Sequence, residues 1–170
     1  DLSSDLSLTA AYFDSEADKA GYDGSSSEYI VERGLVVDGI ELELKGKVND
    51  NLDVTFGYTS MDGKNGTKDA REIPESMYSL WANYEVNPKL GWAVGVMHQG
   101  ESLIKDGGTQ ILPDYTRVDA AVYLMLSNDF RLQVNMENLT DELYFPHSHS
   151  THQVSVGRER NIRLSLTRNF

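Results

Sequence analysis

The sequence predicts an all-β fold, an antiparallel up-and-down meander of about eight strands with one apolar and one polar face. Three observations carry this. Apolar residues fall on alternate positions in segment after segment, the period of a strand that meets different surroundings on its two sides. The segments are joined by connections that alternate long and short along the chain. No apolar run approaches the roughly 20 residues that a membrane-spanning helix needs, which leaves strands as the means of crossing a bilayer if this chain crosses one.

The elements follow in order. Leu6, Leu8, Ala10 and Tyr12 alternate with Ser7, Thr9, Ala11 and Phe13, which gives a first strand over residues 2–13. Residues 14–28 are acidic and rich in Ser and Gly and read as a long loop. A second strand over residues 29–48 sets Ile40, Leu42, Leu44 and Val48 against Glu41, Glu43, Lys45 and Lys47. A face with that many charges is no dry core, and cross-strand charge pairs are the expected use of those side chains. Asn49-Asp50-Asn51 has the residue types of a tight turn. Leu52, Val54, Phe56 and Tyr58 then alternate with Asp53, Thr55, Gly57 and Thr59.

Residues 61–72 are polar and read as a second long loop. The next strand, over 76–86, carries Tyr78, Leu80, Ala82 and Tyr84 on its apolar parity. Asn87-Pro88-Lys89 makes a short turn, where Pro removes no ladder donor that is needed. Leu90, Trp92, Val94 and Val96 form the next apolar face. Residues 102–112 are a third long loop, and 115–126 a strand with Val118, Ala120, Val122 and Leu124. Ser127-Asn128-Asp129 turns into the closing pair. Its strands are Phe130, Leu132, Val134 and Met136, then, after a long loop, Ile162, Leu164, Leu166 and Phe170. Membrane barrels have short turns at one rim and long loops at the other, whereas Greek-key sandwiches mix their connection lengths. Aromatic residues near strand ends (Tyr12, Tyr58, Tyr78, Tyr84, Trp92) share the apolar parity, as the girdles of a barrel do, while Trp81 and Tyr123 fall on the other.

Composition narrows the function. A chain of 170 residues with a formal net charge of −12 is a poor match for nucleic-acid phosphates, so no nucleic-acid partner is expected. Without cysteine there is no disulfide and no thiolate metal site. Asp1 is not an initiator Met, and no signal-like segment follows it, so an excised or truncated chain is expected. No phosphate loop, nucleophile elbow or paired-carboxylate site is present, and His98 has no orienting group placed beside it, so no enzyme, no catalytic residue and no cofactor are expected. The cluster of ligand-type residues is Pro146-His147-Ser148-His149-Ser150-Thr151-His152. His-x-His spacing can chelate a borderline metal, yet no acidic residue or cysteine accompanies it, and a solvated loop that brushes a ligand is the stronger reading.

Several of these segments also carry a family resemblance. Asn135-Met136-Glu137-Asn138-Leu139-Thr140-Asp141-Glu142-Leu143-Tyr144-Phe145, and after a loop Gly157-Arg158-Glu159-Arg160-Asn161-Ile162-Arg163-Leu164-Ser165-Leu166-Thr167-Arg168-Asn169-Phe170, closely resemble the carboxy-terminal end of TonB-dependent outer-membrane receptors. Val37-Asp38-Gly39-Ile40-Glu41-Leu42-Glu43 and Leu112-Pro113-Asp114-Tyr115-Thr116-Arg117-Val118-Asp119-Ala120 resemble two strand openings of that family. Four ordered matches cover about the whole chain. The departures are Glu159, where the family often has Pro, and Arg168, where it usually has an apolar or aromatic side chain.

The resemblance implies that residues 1–170 are the carboxy-terminal segment of a larger transmembrane β-barrel of about 22 strands, with the plug domain absent from them. It implies the outer membrane of a Gram-negative bacterium and contact with outer-membrane lipid. It implies import of a ferric siderophore, powered by the TonB energy-coupling complex acting through the missing plug. The haem-receptor pattern F-R-A-P…N-P-N-L is not found, and Tyr144-Phe145-Pro146-His147 suits a siderophore branch. Tyr144, His147, His149 and His152, with Arg71 and Lys105 in other outer loops, are then the candidate ligand contacts, Lys64 and Lys68 being further cations there. Phe170 would lie at the periplasmic interface. Two alternatives remain at this point: a self-contained eight-stranded outer-membrane barrel of structural or adhesive role, and a soluble sandwich or open sheet. Pairing between the first and last strands would mark the self-contained barrel; two free sheet edges would mark a piece of a larger one.

Overall fold

The structure, a computed structural model, describes residues 5–149 and 151–168. The expected strand start at Leu2 and the placement of Phe170 lie outside them. Thirteen strands occur among the described residues: β1 (Leu6–Asp23), β2 (Glu28–Asn49), β3 (Leu52–Asn65), β4 (Lys68–Asp69), β5 (Ser76–Asn87), β6 (Leu90–Gln99), β7 (Ser102–Leu103), β8 (Ile111–Leu112), β9 (Tyr115–Met125), β10 (Phe130–Glu137), β11 (His147–Ser148), β12 (Val154–Ser155) and β13 (Asn161–Arg168). Eight of them form one antiparallel meander in the order β1-β2-β3-β5-β6-β9-β10-β13, with β4 added to the outer end of β3. The pairs β7-β8 and β11-β12 are small hairpins inside two long connections.

The register explains why the alternation holds across the whole sheet. Directly opposed residues point to the same face. One unbroken row runs Leu6, Gly46, Val54, Ala82, Val94, Ala120, Met136, Ile162, each paired with the next. The neighbouring row of the other face runs Lys47, Asp53, Asn83, Ala93, Ala121, Asn135, Arg163. A slip of one residue at any pair would mix the two faces, so each hydrophobic pattern fixes its neighbour's register.

What the apolar face meets decides the architecture. Its large side chains are open: Tyr12 is 68% exposed, Ile162 64%, Leu164 69% and Leu166 62%. The buried apolar residues among those described are Ala70, Ala93, Leu112, Tyr115, Ala121 and Tyr144, and they belong to the other face or to the loops. No second sheet covers the apolar face among the described residues, so the sandwich alternative has no interior here. Unbroken apolar area on this scale is foreign to a protein surrounded by water and ordinary for one surrounded by lipid. β1 and β13 stand at opposite ends of the strand order and are not paired with each other among the described residues, which favours a section of a larger barrel over a closed eight-stranded one.

The polar face is closely packed in its middle. Gly95 lies under the Trp81 ring, so that a Cβ there would collide with it, and the Trp81 indole N–H donates to Asn83 Oδ1 at 3.2 Å. The glycine is required by this approach. Trp81 and Tyr123 therefore point as their parity demanded, and the Arg131 guanidinium lies 5.0 Å from the centre of the Tyr123 ring. Arg163 pairs with Glu137 at 3.7 Å. The expected charge pairs of Glu41, Glu43, Lys45 and Lys47 do not form among the described residues: the register sets Glu41 opposite Ala11 and Thr59, Glu43 opposite Thr9 and Gly57, and Lys45 opposite Ser7 and Thr55, and Lys47, though opposite Asp53, makes no ion pair with it.

The first connection is the main departure from expectation. Residues 14–28 are not a loop: β1 and β2 continue as a ladder to Asp23 and Glu28 and turn over residues 24–27. An 18-residue strand is about 60 Å long, far taller than the roughly 25 Å apolar band of a barrel. Beyond that band a strand needs no apolar face, so polar composition does not signal a loop. Ion pairs Arg33–Glu16 at 3.0 Å and Lys19–Glu32 at 3.9 Å and the Tyr22–Tyr29 ring contact hold the extension, with one irregularity at Ala17/Asp18.

Candidate functional site

The long connections all leave the same rim of the sheet, opposite the turns at residues 50–51, 88–89 and 126–129. They are 66–75, 100–114 and 138–160, and they carry the candidate ligand contacts. Short-range chemistry ties them together. The Asp106 carboxylate accepts from Asn65 Nδ2 and from the Arg71 backbone N–H, both at 2.8 Å. The Glu72 N–H donates to Leu103 O at 2.9 Å, and Gly107 N–H to Asp69 O at 2.8 Å. Glu72 Oε1 in turn accepts from the Ser148 N–H at 2.8 Å. Gln99 Nε2 donates to Pro146 O at 3.5 Å. Glu72 has φ 58 and Gly107 φ 59, left-handed conformations that let both chain segments turn toward one another.

The long 138–160 connection is built on one buried side chain. Asn138, 1% exposed, lies in the left-handed region at φ 52, which Asn tolerates better than most residues. Its N–H donates to Asp119 Oδ1 at 2.9 Å; its Nδ2 donates to Glu142 O at 2.9 Å and Arg158 O at 3.0 Å; its Oδ1 accepts from Glu142 N–H at 2.8 Å. Both ends of the loop are thereby joined to β9. Asp141, also left-handed at φ 58, accepts the Arg160 N–H at 2.8 Å. Arg117 completes the support: Nη2 meets Asp119 Oδ2 at 2.8 Å and Nη1 donates to the Tyr144 hydroxyl at 3.2 Å.

The sequence candidates separate accordingly. Tyr144 is 7% exposed; its ring fills the space above Gly157 and lies 4.6 Å from that of Tyr115, and its hydroxyl is taken by Arg117. It is a wall of the loop base rather than an open contact. His147, His149 and His152 lie at the tip. His147 Nε2 is 2.9 Å from Ser155 Oγ across the β11-β12 hairpin, and the His149 and His152 rings are 5.6 Å apart. Arg71 and Lys105 are exposed on the two loops that Asp106 joins, and neither makes an ion pair among the described residues. Lys64 differs: it is bound by Asp69 and lies 3.8 Å from Asp62, and the Asp69 hydrogen bond together with these carboxylates holds its amine above the ordinary range. It is a poor attractor of anions. His98 stacks on Tyr78 at 4.7 Å, with Nδ1 2.9 Å from Thr116 Oγ1.

Asp106, Glu72, Arg117, Asp119 and Asn138 organise the site, and sequence reasoning did not single them out. Arg117, Asp119 and Asn138 lie in the segments that carry the family resemblance, and Asn138 is also a residue type that accepts left-handed backbone between two strands, but neither signal assigned them this role. A cavity of about 480 Å³ lies at the opposite rim beside the short turns, lined by Lys47, Asp53, Lys89 and Arg131 among others. A second, of about 370 Å³, lies by the long connections between Gly63, Ala70, Ile73 and Leu103.

Comparison with known proteins fits this arrangement. The model of the TonB dependent receptor-like, beta-barrel family matches residues 2–139. The chain is 28% identical over 184 residues to the probable TonB-dependent siderophore receptor PiuA of Acinetobacter baumannii, covering 97% of this chain and 25% of that protein. It is 28% identical over 177 residues to the ferrioxamine receptor of Yersinia enterocolitica, covering 95% and 25%. The crystal structure of the siderophore receptor PiuA from Acinetobacter baumannii matches with a TM-score of 0.83 at 26% identity, over 96% of this chain and 26% of that one. That of the ferric-catecholate import receptor Fiu from E. coli K12 in its closed form matches at 0.84 with 22% identity, over 99% and 26%, a likeness of fold. The chain thus spans about a quarter of the length of these relatives. With a first and a last strand that do not pair with each other and an apolar face that no sheet covers among the described residues, and with a family match over most of its length, this chain belongs to the TonB-dependent receptor β-barrel family.

Proposed function

We propose that residues 1–170 are the carboxy-terminal section of an outer-membrane transporter that binds and imports a ferric siderophore in a Gram-negative bacterium. The observation that carries this reading is the combination of a lipid-type apolar face with three hydrogen-bonded loops at one rim, in a chain whose relatives are named as siderophore receptors. In this reading the polar face lines the barrel interior, and the energy-coupling complex acts through a plug encoded outside these residues. His147, His149 and His152, with Arg71 and Lys105, cations without an ion pair among the described residues, face the arriving ligand, and Tyr144 holds their loop. An anionic iron chelate suits such cations, which raise its local concentration at the mouth.

The test is growth of a strain deleted for the gene, with individual ferric siderophores as the sole iron source. Loss of growth on one of them, restored by the wild-type gene, is the expected result. Undiminished uptake of every siderophore the parent strain can use would overturn the reading.

A further inference from the structure

The tip of the longest connection presents two imidazoles whose nitrogens are not engaged by any group among the described residues. His149 and His152 stand three positions apart in the turn that closes the β11-β12 hairpin, where the His149 N–H donates to Gln153 O at 2.8 Å. Both are exposed, with ring centroids 5.6 Å apart and planes at 80°. His147, two residues earlier, differs in having its Nε2 beside Ser155 Oγ.

The hairpin is not a free tether. Ser148, adjacent to the pair, is held by Glu72 Oε1, and the Gly157 N–H donates to Tyr144 O at 2.8 Å. The two rings are thus displayed from an anchored turn. A tetrahedral ion takes imidazole nitrogens at about 2.0 to 2.1 Å, which sets two ring centres roughly 5 Å apart. The observed separation of 5.6 Å is close to that value.

We propose that His149 and His152 form a binding site for a borderline divalent cation of the zinc or copper kind. No further His, Asp or Glu completes a three-residue group among the described residues, so water fills the other positions. The absence of carboxylates from the stretch between Leu143 and Gly157 selects against magnesium and calcium, which require oxygen donors, and leaves nitrogen ligands that suit zinc and copper. The site does not depend on the cargo proposed above and is tested without it.

The experiment titrates the full-length receptor, purified in detergent, with zinc chloride alone at pH 7.5, by calorimetry. His149→Gln and His152→Gln are each expected to weaken binding about tenfold or more, and the double variant to abolish it. His98→Gln, on the lipid-side parity of β6, is expected to bind as wild type. Excess magnesium is expected to leave the wild-type affinity unchanged. Because the turn is exposed, the variants are checked for unchanged melting. Zinc binding by the melting-competent double variant equal to that of wild type, or displacement of zinc by magnesium, would overturn the proposal.

Discussion

Glu72 Oε1 accepts the backbone N–H of Ser148 at 2.8 Å, so the loop after β4 holds the hairpin that carries the three loop histidines. This places a carboxylate in a contact through which a change in the 66–75 segment reaches the tip of the 138–160 connection. Glu72→Ala is expected to lower the exchange protection of the Ser148 amide roughly tenfold, as suits loss of about 1.4 kcal/mol in a charge-assisted hydrogen bond. Glu72→Gln keeps an acceptor and is expected to lose less. Hydrogen exchange with mass readout on the 145–155 peptide measures both.

Asn138 is the corresponding support at the loop base. Asn138→Ala removes a side chain that makes three hydrogen bonds and leaves a left-handed backbone without a residue suited to it. Loosening of the loop by about 2–4 kcal/mol is expected. Asn138→Gly keeps the backbone freedom and loses only the side-chain bonds, so it is expected to lie between. Limited proteolysis of the 138–160 connection in the assembled receptor orders the three proteins.

Gly95 and Trp81 are a fitted pair on the polar face. Gly95→Ala puts a methyl into the Trp81 ring and is expected to lower assembly by the equivalent of about 1–3 kcal/mol. Trp81→Leu in the same chain relieves the collision and is expected to restore part of the yield. The heat-modifiable band of the folded receptor on cold gels reads this.

At the outer tip of the β1-β2 hairpin, hydrogen bonds from the Ser25 side chain and backbone, and then from Ser26, hold the Asp23 carboxyl below its ordinary range. A lowered value means that the turn gains from ionised Asp23 above the ordinary carboxylate range, and that the gain is lost as pH falls through the lowered value. Ser25→Ala is expected to move the Asp23 titration back upward. Carbon-13 titration of the labelled carboxyl checks it.

Much of the fold was legible because the register repeats the pattern. Tyr78, Leu80, Ala82 and Tyr84 stand on one face because His98, Val96, Val94 and Trp92 do, and each strand reinforces the parity of the next. The segment 14–28 was not legible: Glu16, Lys19, Glu32 and Arg33 make a ladder in water, where an apolar alternation is not needed and acidic, small residues read as loop. The candidate site was half legible. Composition located His147, His149 and His152 in a loop, but the burial of Tyr144 depends on Arg117 and Gly157, which lie far from it in the pattern that sequence displays. Lys64 looked like an available cation until Asp62 and Asp69 were placed around it.

The faces themselves can be read directly. The chain has no cysteine, so single cysteines at 132, 133, 134, 163, 164, 165 and 166 can each carry a spin label in receptor reconstituted in lipid. Collision with dissolved oxygen and with a water-soluble nickel chelate then reports what each position touches. Labels at Leu132, Val134, Leu164 and Leu166 should collide with oxygen, and those at Gln133, Arg163 and Ser165 with the chelate, in strict alternation. The reverse assignment, or labels at Leu164 and Leu166 reached by neither reagent, would mean that the apolar side chains point into a sealed interior and that this face of the sheet does not meet lipid.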